Sequence, residues 1–135
     1  MQPRRQTRQI VVGDERVGFV HIGGGLPARD GTPTTPAPVS VQTMTAGYTH
    51  DVDACVREIH KLAAAGADIV RVAVPEKKDT DALRHIIPQV KVPIVADVHF
   101  HFQRALEAVE AGVHKIRRNP GNISDRAQVI AFIQA

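Results

Sequence analysis

Arg71, Asp97, His99, Arg117 and Asn119 are the side chains of this sequence best suited to gripping an anion. A guanidinium fork presents paired N–H donors that match the oxygens of a phosphate or carboxylate. Their spacing is as informative as their types. Asp97 and His99 are two positions apart, as are Arg117 and Asn119, so on a strand the members of each pair share a face. A repeat links the arginines: Ala65-Gly66-Ala67-Asp68-Ile69-Val70-Arg71 matches Ala111-Gly112-Val113-His114-Lys115-Ile116-Arg117 in type and spacing. In each copy an Ala-Gly helix end precedes an arginine inside a strand, which predicts equivalent heights for Arg71 and Arg117 on the second and fourth strands of one sheet.

Strand alternation then decides where these groups point. Val70, Val72 and Val74 form an apolar face suited to a helix layer, so Arg71 faces the other way. The same alternation directs Lys115, Arg117 and Asn119 inward and Ile116 outward, while Val95 lays an apolar base beneath Asp97 and His99. The turn Asn119-Pro120-Gly121-Asn122 precedes Ser124, a good N-cap. Gly121 permits close backbone approach and the helix N-terminus offers free N–H groups, which adds Asn122 to the anion-binding set. The competing reading is a structural Arg71–Asp97 ion pair, since charge in a barrel interior is costly unless paired or ligand-bound. His99 and His101 do not make a metal site, because no nearby Cys or Glu completes a ligand set. Gln42, Thr43, Met44 and Thr45 either orient a ligand or cap a strand end. His50, His60, His85 and His114 receive no role.

The elements that must position this set alternate regularly. Residues 9–12 and 17–22 are short β-branched runs around Gly13-Asp14-Glu15-Arg16, which predicts a β-hairpin cap within residues 1–22. Residues 23–38 are rich in Gly, Pro and Thr and read as a flexible connection. From residue 39 onward strands are expected at 39–44, 69–74, 94–99 and 113–118, and helices at 51–65, 80–89, 103–111 and from 124 to the last residue. Cys55 belongs to the apolar stripe of the first helix and reads as core. The β-α-β-α order means a parallel sheet with helices outside it. The expected fold is therefore α/β, the N-terminal half of a TIM-type (β/α)8 barrel with about four βα units over residues 39–135, preceded by the hairpin. At 135 residues the chain is too short for a whole barrel of about 250. Helical periodicity also continues to Ala135 without a closing glycine, so a partial chain is expected.

Composition narrows the function. The net charge of +3 comes from scattered basic residues with few aromatics, a poor match to a nucleic-acid surface. No apolar run approaches the roughly 20 residues of a membrane span, and no secretory signal is evident, so a cytoplasmic protein is expected. A single cysteine excludes an internal disulfide and a Cys-ligated cluster held by this chain alone.

Four segments taken in order, Val41-Gln42-Thr43-Met44-Thr45, Ala65 to Val72, Ala96-Asp97-Val98-His99-Phe100 and Lys115-Ile116-Arg117-Arg118-Asn119-Pro120-Gly121-Asn122-Ile123, closely resemble the N-terminal part of the 4-hydroxy-3-methylbut-2-enyl diphosphate synthase family of isoprenoid biosynthesis. The resemblance implies a barrel that holds 2-C-methyl-D-erythritol 2,4-cyclodiphosphate. It also implies a separate C-terminal domain with a [4Fe–4S] cluster whose ligands are absent here, flavodoxin or ferredoxin as electron donor, and a homodimer at full length. By the same resemblance Arg71 and Arg117 contact the diphosphate with Asn119 beside them, and Asp97 and His99 line the substrate pocket. Arg118 departs from the family's usual apolar residue. Two other readings stand beside this one: a phosphate-binding barrel resembling dihydropteroate synthase, and a non-enzymatic half-barrel that pairs with itself.

Overall fold

The computed structural model describes residues 5–99 and 102–118. The expected turn at Asn119 to Asn122, the helix from Ser124, and His101 lie outside the described residues.

Strands β1 (Ile10–Asp14) and β2 (Gly18–Ile22) form an antiparallel hairpin. Gly13 has φ +123°, and a Cβ there would run into the Gly18 carbonyl and crowd the Pro93 ring, so only glycine fits. A separate four-stranded parallel sheet runs in the order β3 (Gln42–Met44), β4 (Ile69–Ala73), β5 (Ile94–Val98) and β6 (Lys115–Arg118). Helices α1 (Val52–Ala64), α2 (Lys77–Ile86) and α3 (Phe102–Ala111) make the crossovers. This is the α/β half barrel, with its hairpin, that the alternation predicts.

The sheet separates two cores. Val70, Val72, Val74, Ile94, Ala96 and Val98 face the helices and pack with Cys55, Ile59, Leu83, Ile86 and Ala105. On the other face Ile69 and Val95 pack against the hairpin's Val12, with Val20 and Ile22 beside it. Both residues stand near the N-terminal ends of their strands, so the hairpin forms a floor two residues below Arg71 and Asp97.

Polar contacts fasten that floor. Asp14 accepts from the backbone N–H groups of Arg16 (2.9 Å) and Val17 (3.0 Å), which closes the turn. Arg16 donates to the carbonyls of Val90 and Ile87, each at 2.6 Å, just after α2. His114, with no role expected, is a structural link: its side chain is only 4% exposed. Its Nδ1 accepts from the Ile94 N–H at 3.0 Å, so Nε2 carries the proton and donates to Asp14 Oδ2 at 2.8 Å.

The sequence repeat is also a repeat of hydrogen bonds. Gly66 and Gly112 both have positive φ, and their N–H groups reach back to Ala63 and Val109. Ala67 and Val113 bond one position earlier, to Leu62 and Ala108, so both helices end with the same C-terminal cap. The next residue in each copy supplies a side-chain acceptor to the preceding strand. Asp68 Oδ2 takes the Val41 N–H at 2.7 Å, as His114 takes that of Ile94.

Three boundaries differ from expectation by three residues, the others by one or two at most. Helix α2 starts at Lys77 rather than at residue 80, because Asp79 accepts from the Glu76 N–H at 3.1 Å and caps an earlier first turn. It ends at Ile86 in a 3-10 turn, Ile87–Gln89, since Pro88 has no N–H with which to continue the α-helical ladder. Strand β3 is three residues long, as Val39 is exposed and Val41 spends its N–H on Asp68. Residues 23–38 form no helix or strand but are pinned: the Thr7 N–H donates to the Gly24 carbonyl and the Leu26 N–H to the Thr7 carbonyl, the Ala37 N–H donates to the Gly23 carbonyl, and Thr34 bridges Gly25 and Leu26.

Candidate functional site

Parallel pairing sets Arg71 opposite Val95 and Val95 opposite Lys115, with Ala73, Asp97 and Arg117 in the next row toward the C-terminal ends. Arg71 and Arg117 therefore differ by one inward-facing row along the ladder rather than sharing one. Tilted strands in a closing barrel are staggered in this manner. Both guanidinium groups nevertheless reach a single carboxylate. Asp97, 3% exposed, has Oδ2 at 3.6 Å from Arg71 Nε and Oδ1 at 3.2 Å from Arg117 Nη1. His99 Nε2 lies 3.3 Å from the same Oδ1. Four of the expected residues, Arg71, Asp97, His99 and Arg117, thus meet at the strand C-terminal ends on the inner face. The Arg71–Asp97 ion pair of the competing reading is present as well, as one arm of this cluster. Asn119 and Asn122 lie outside the described residues.

Among the described residues the charges of this cluster do not cancel. Two guanidinium groups oppose one carboxylate, and Lys115 adds a cation on the same face. Asp97 is buried, whereas Arg71 and Arg117 keep 30% and 44% of their side chains exposed, so the excess positive charge is displayed toward solvent. Such a surface attracts a multiply charged anion, and partial exclusion of water strengthens each contact.

The first strand contributes differently along its length. Gln42 and Met44 lie in register with Ile69 and Arg71 on the inner face, and the Met44 sulfur accepts from Arg71 Nη2 at 3.5 Å. Thr43 pairs with Val70 on the helix side, and Thr45 is buried. The loop beyond β3 is held by Glu58, which accepts from the N–H groups of Ala46 (2.8 Å) and Gly47 (3.1 Å). Glu58 was not singled out in the sequence, because a carboxylate on a helix carries no local sign of the distant loop it will cap. His50 likewise gains a partner, the buried Asp79 at 3.3 Å, and stacks on Tyr48. The spacing of Glu76 and Asp79 at a helix start was the available signal for that carboxylate.

Arg118 pairs with Val98 on the helix side, where burial lowers its pKa by disfavouring the charged form. Cys55 is buried in the outer core, as its place on the α1 stripe predicts. Desolvation first, and then the negative charges of Glu58, Asp51 and Asp79, raise its thiol pKa from 9.0 to about 11. Iodoacetamide at pH 8 is expected to leave native Cys55 unmodified and to label it fully in denaturant; rapid labelling of the native chain would contradict this burial. Because the folded pKa is raised, this contribution to stability is intact below pH 9 and fades between pH 9 and about 11.

Fold and site together define a TIM-type half barrel with a cationic cluster at its strand C-terminal ends, where barrel enzymes keep their active sites. The sequence matches the GcpE TIM-barrel domain over residues 10–135, and the chain belongs to that family. It is 49% identical over 132 residues to a Rhodospirillum rubrum protein named 4-hydroxy-3-methylbut-2-en-1-yl diphosphate synthase (flavodoxin), covering 98% of this chain and 30% of the relative. Proteins of the same name from Granulibacter bethesdensis and Geobacillus thermodenitrificans are 45% and 44% identical, again over 98% of this chain and 30% and 31% of theirs. The chain thus spans about three tenths of the length of these curated relatives. Among solved structures, a Xanthomonas albilineans dihydropteroate synthase aligns with a TM-score of 0.51 at 20% identity, covering 70% of this chain and 38% of that one. At that identity the likeness is one of fold alone.

Proposed function

We propose that this chain is the substrate-gripping segment of a 4-hydroxy-3-methylbut-2-enyl diphosphate synthase. That enzyme opens the ring of 2-C-methyl-D-erythritol 2,4-cyclodiphosphate by two-electron reduction with dehydration. The observation that carries the reading is the pair of guanidinium groups set around one buried carboxylate at the strand C-terminal ends. Arg71 and Arg117 take the diphosphate oxygens, Asp97 holds both arginines in place, and His99 hydrogen-bonds the substrate beside them. Asn119 and Asn122 belong to the same site in this reading. The chain's part in the reaction is to bind and orient, which raises the rate by holding the reacting carbon in place.

The [4Fe–4S] cluster of the family does not fit these residues. Such a cluster needs several thiolates, and the single cysteine, Cys55, is a protonated core thiol on the helix side of the sheet. The cluster, the reduction and the flavodoxin or ferredoxin that feeds it therefore belong to the rest of a full-length protein, a cytoplasmic homodimer in this reading. Flavodoxin appears in the names of the relatives.

Titration of the chain with inorganic diphosphate by calorimetry tests the grip. Arg117→Met is expected to weaken binding by about 2 kcal/mol, roughly thirtyfold, through loss of a charge-assisted contact. Unchanged affinity would remove Arg117 from the site.

A further inference from the structure

Among the described residues, the one sulfur on the inner face, that of Met44, touches the grip itself. Arg71 has its Nε toward Asp97 Oδ2 and its Nη2 on the Met44 sulfur, so Nη1 is left without a protein partner among the described residues. Met44 ends β3 in register with Arg71 and is 37% exposed. The only other methionine is Met1. A thioether is a weak, polarizable acceptor: it restrains one edge of a guanidinium without competing strongly for its protons.

We propose that Met44 is an oxidation-sensitive positioning residue for Arg71, a role that rests on the diphosphate-grip reading. The thioether holds Nη2 loosely, so Arg71 turns Nη1 to the anion while Nε stays on Asp97. A hydroperoxide converts the thioether to a sulfoxide: the O–O bond breaks, an S–O bond forms, sulfur loses two electrons, and the peroxide leaves as water or alcohol. The new oxygen is a far stronger dipolar acceptor than the thioether sulfur that carries it. It engages Nη2 firmly, draws the guanidinium off Asp97 and withdraws it from the anion. Oxidation at Met44 thereby lowers anion affinity without a covalent change to any group that contacts the anion. A methionine sulfoxide reductase reverses the change.

The test compares the chain with its Met44→Leu variant, which keeps the side-chain bulk and cannot be oxidised in this way. After hydrogen peroxide treatment, with peptide mass spectrometry confirming one added oxygen on Met44, inorganic diphosphate is expected to bind about tenfold more weakly. Reductase treatment should restore the affinity, and the leucine variant should be indifferent to peroxide. The Arg71 side-chain Nε–H resonance should also shift on oxidation with no anion present. An unmoved resonance with Met44 fully oxidised, or a leucine variant that loses affinity as the parent does, would overturn the proposal. If no form binds diphosphate, the grip reading fails, while the Arg71 resonance still decides whether Met44 steers the guanidinium.

Discussion

Asp97→Ala is expected to destabilise the chain by about 2 kcal/mol, less than the cost of orphaning a fully buried charge because both guanidinium groups left behind keep contact with water. The carboxylate is 3% exposed and is the only acidic group bonded to Arg71 and Arg117 among the described residues. Without it, two guanidinium groups and Lys115 share one face of the sheet uncompensated, and His99 loses an acceptor at 3.3 Å. Urea unfolding should show a much lower midpoint with little change in slope. Inorganic diphosphate should recover part of the loss, because an anion seated between the arginines restores the missing negative charge. A cost below about 1 kcal/mol would mean that the arginines do not depend on Asp97 for balance.

The second large effect is expected at the floor of the site. Val12 is 2% exposed and packs against Ile69 and Val95. Val12→Asp should cost about 3 kcal/mol or more, since it buries an unpaired carboxylate where an apolar contact stood. The hairpin should lift from the sheet before the outer core fails. Hydrogen exchange should therefore accelerate first in β1 and β2, with the protection of β4 and β5 falling less. Equal acceleration of all strands would show that the hairpin and the sheet unfold as one unit. Acid should weaken the same contact. The Val17 N–H first, and then the His114 side chain, hold the Asp14 pKa below its usual 3.8. That stabilisation is present above pH 3.8 and is lost as pH falls through the lowered value.

These expectations show which links were readable along the chain. Periodicity marked the parallel strands and the helices between them, because alternation of apolar residues reports directly which side is buried. The facing of Arg71 followed from Val70, Val72 and Val74, and the Ala-Gly repeat anticipated two helix caps with the same bonds. Boundaries were less legible where a single side chain decided them, as with Asp79 at the start of α2 and Pro88 at its end. The structural link made by His114 is not legible along the chain for a related reason: its partners are the Ile94 amide, 20 residues away, and Asp14, 100 residues away.

By itself the sequence determined the type and order of the elements, the inward facing of both arginines and of Asp97, and the burial of Cys55. These depend on short-range alternation and on apolar stripes, which any local stretch displays. Tertiary structure alone decided that Arg71 and Arg117, one inward-facing row apart along the ladder, close on the two oxygens of one aspartate. It also decided that Met44 touches the first of them and that a hairpin lays the floor beneath. Each of those contacts joins strands that are distant in sequence, and their distances are set by how the strands stagger and the layers pack.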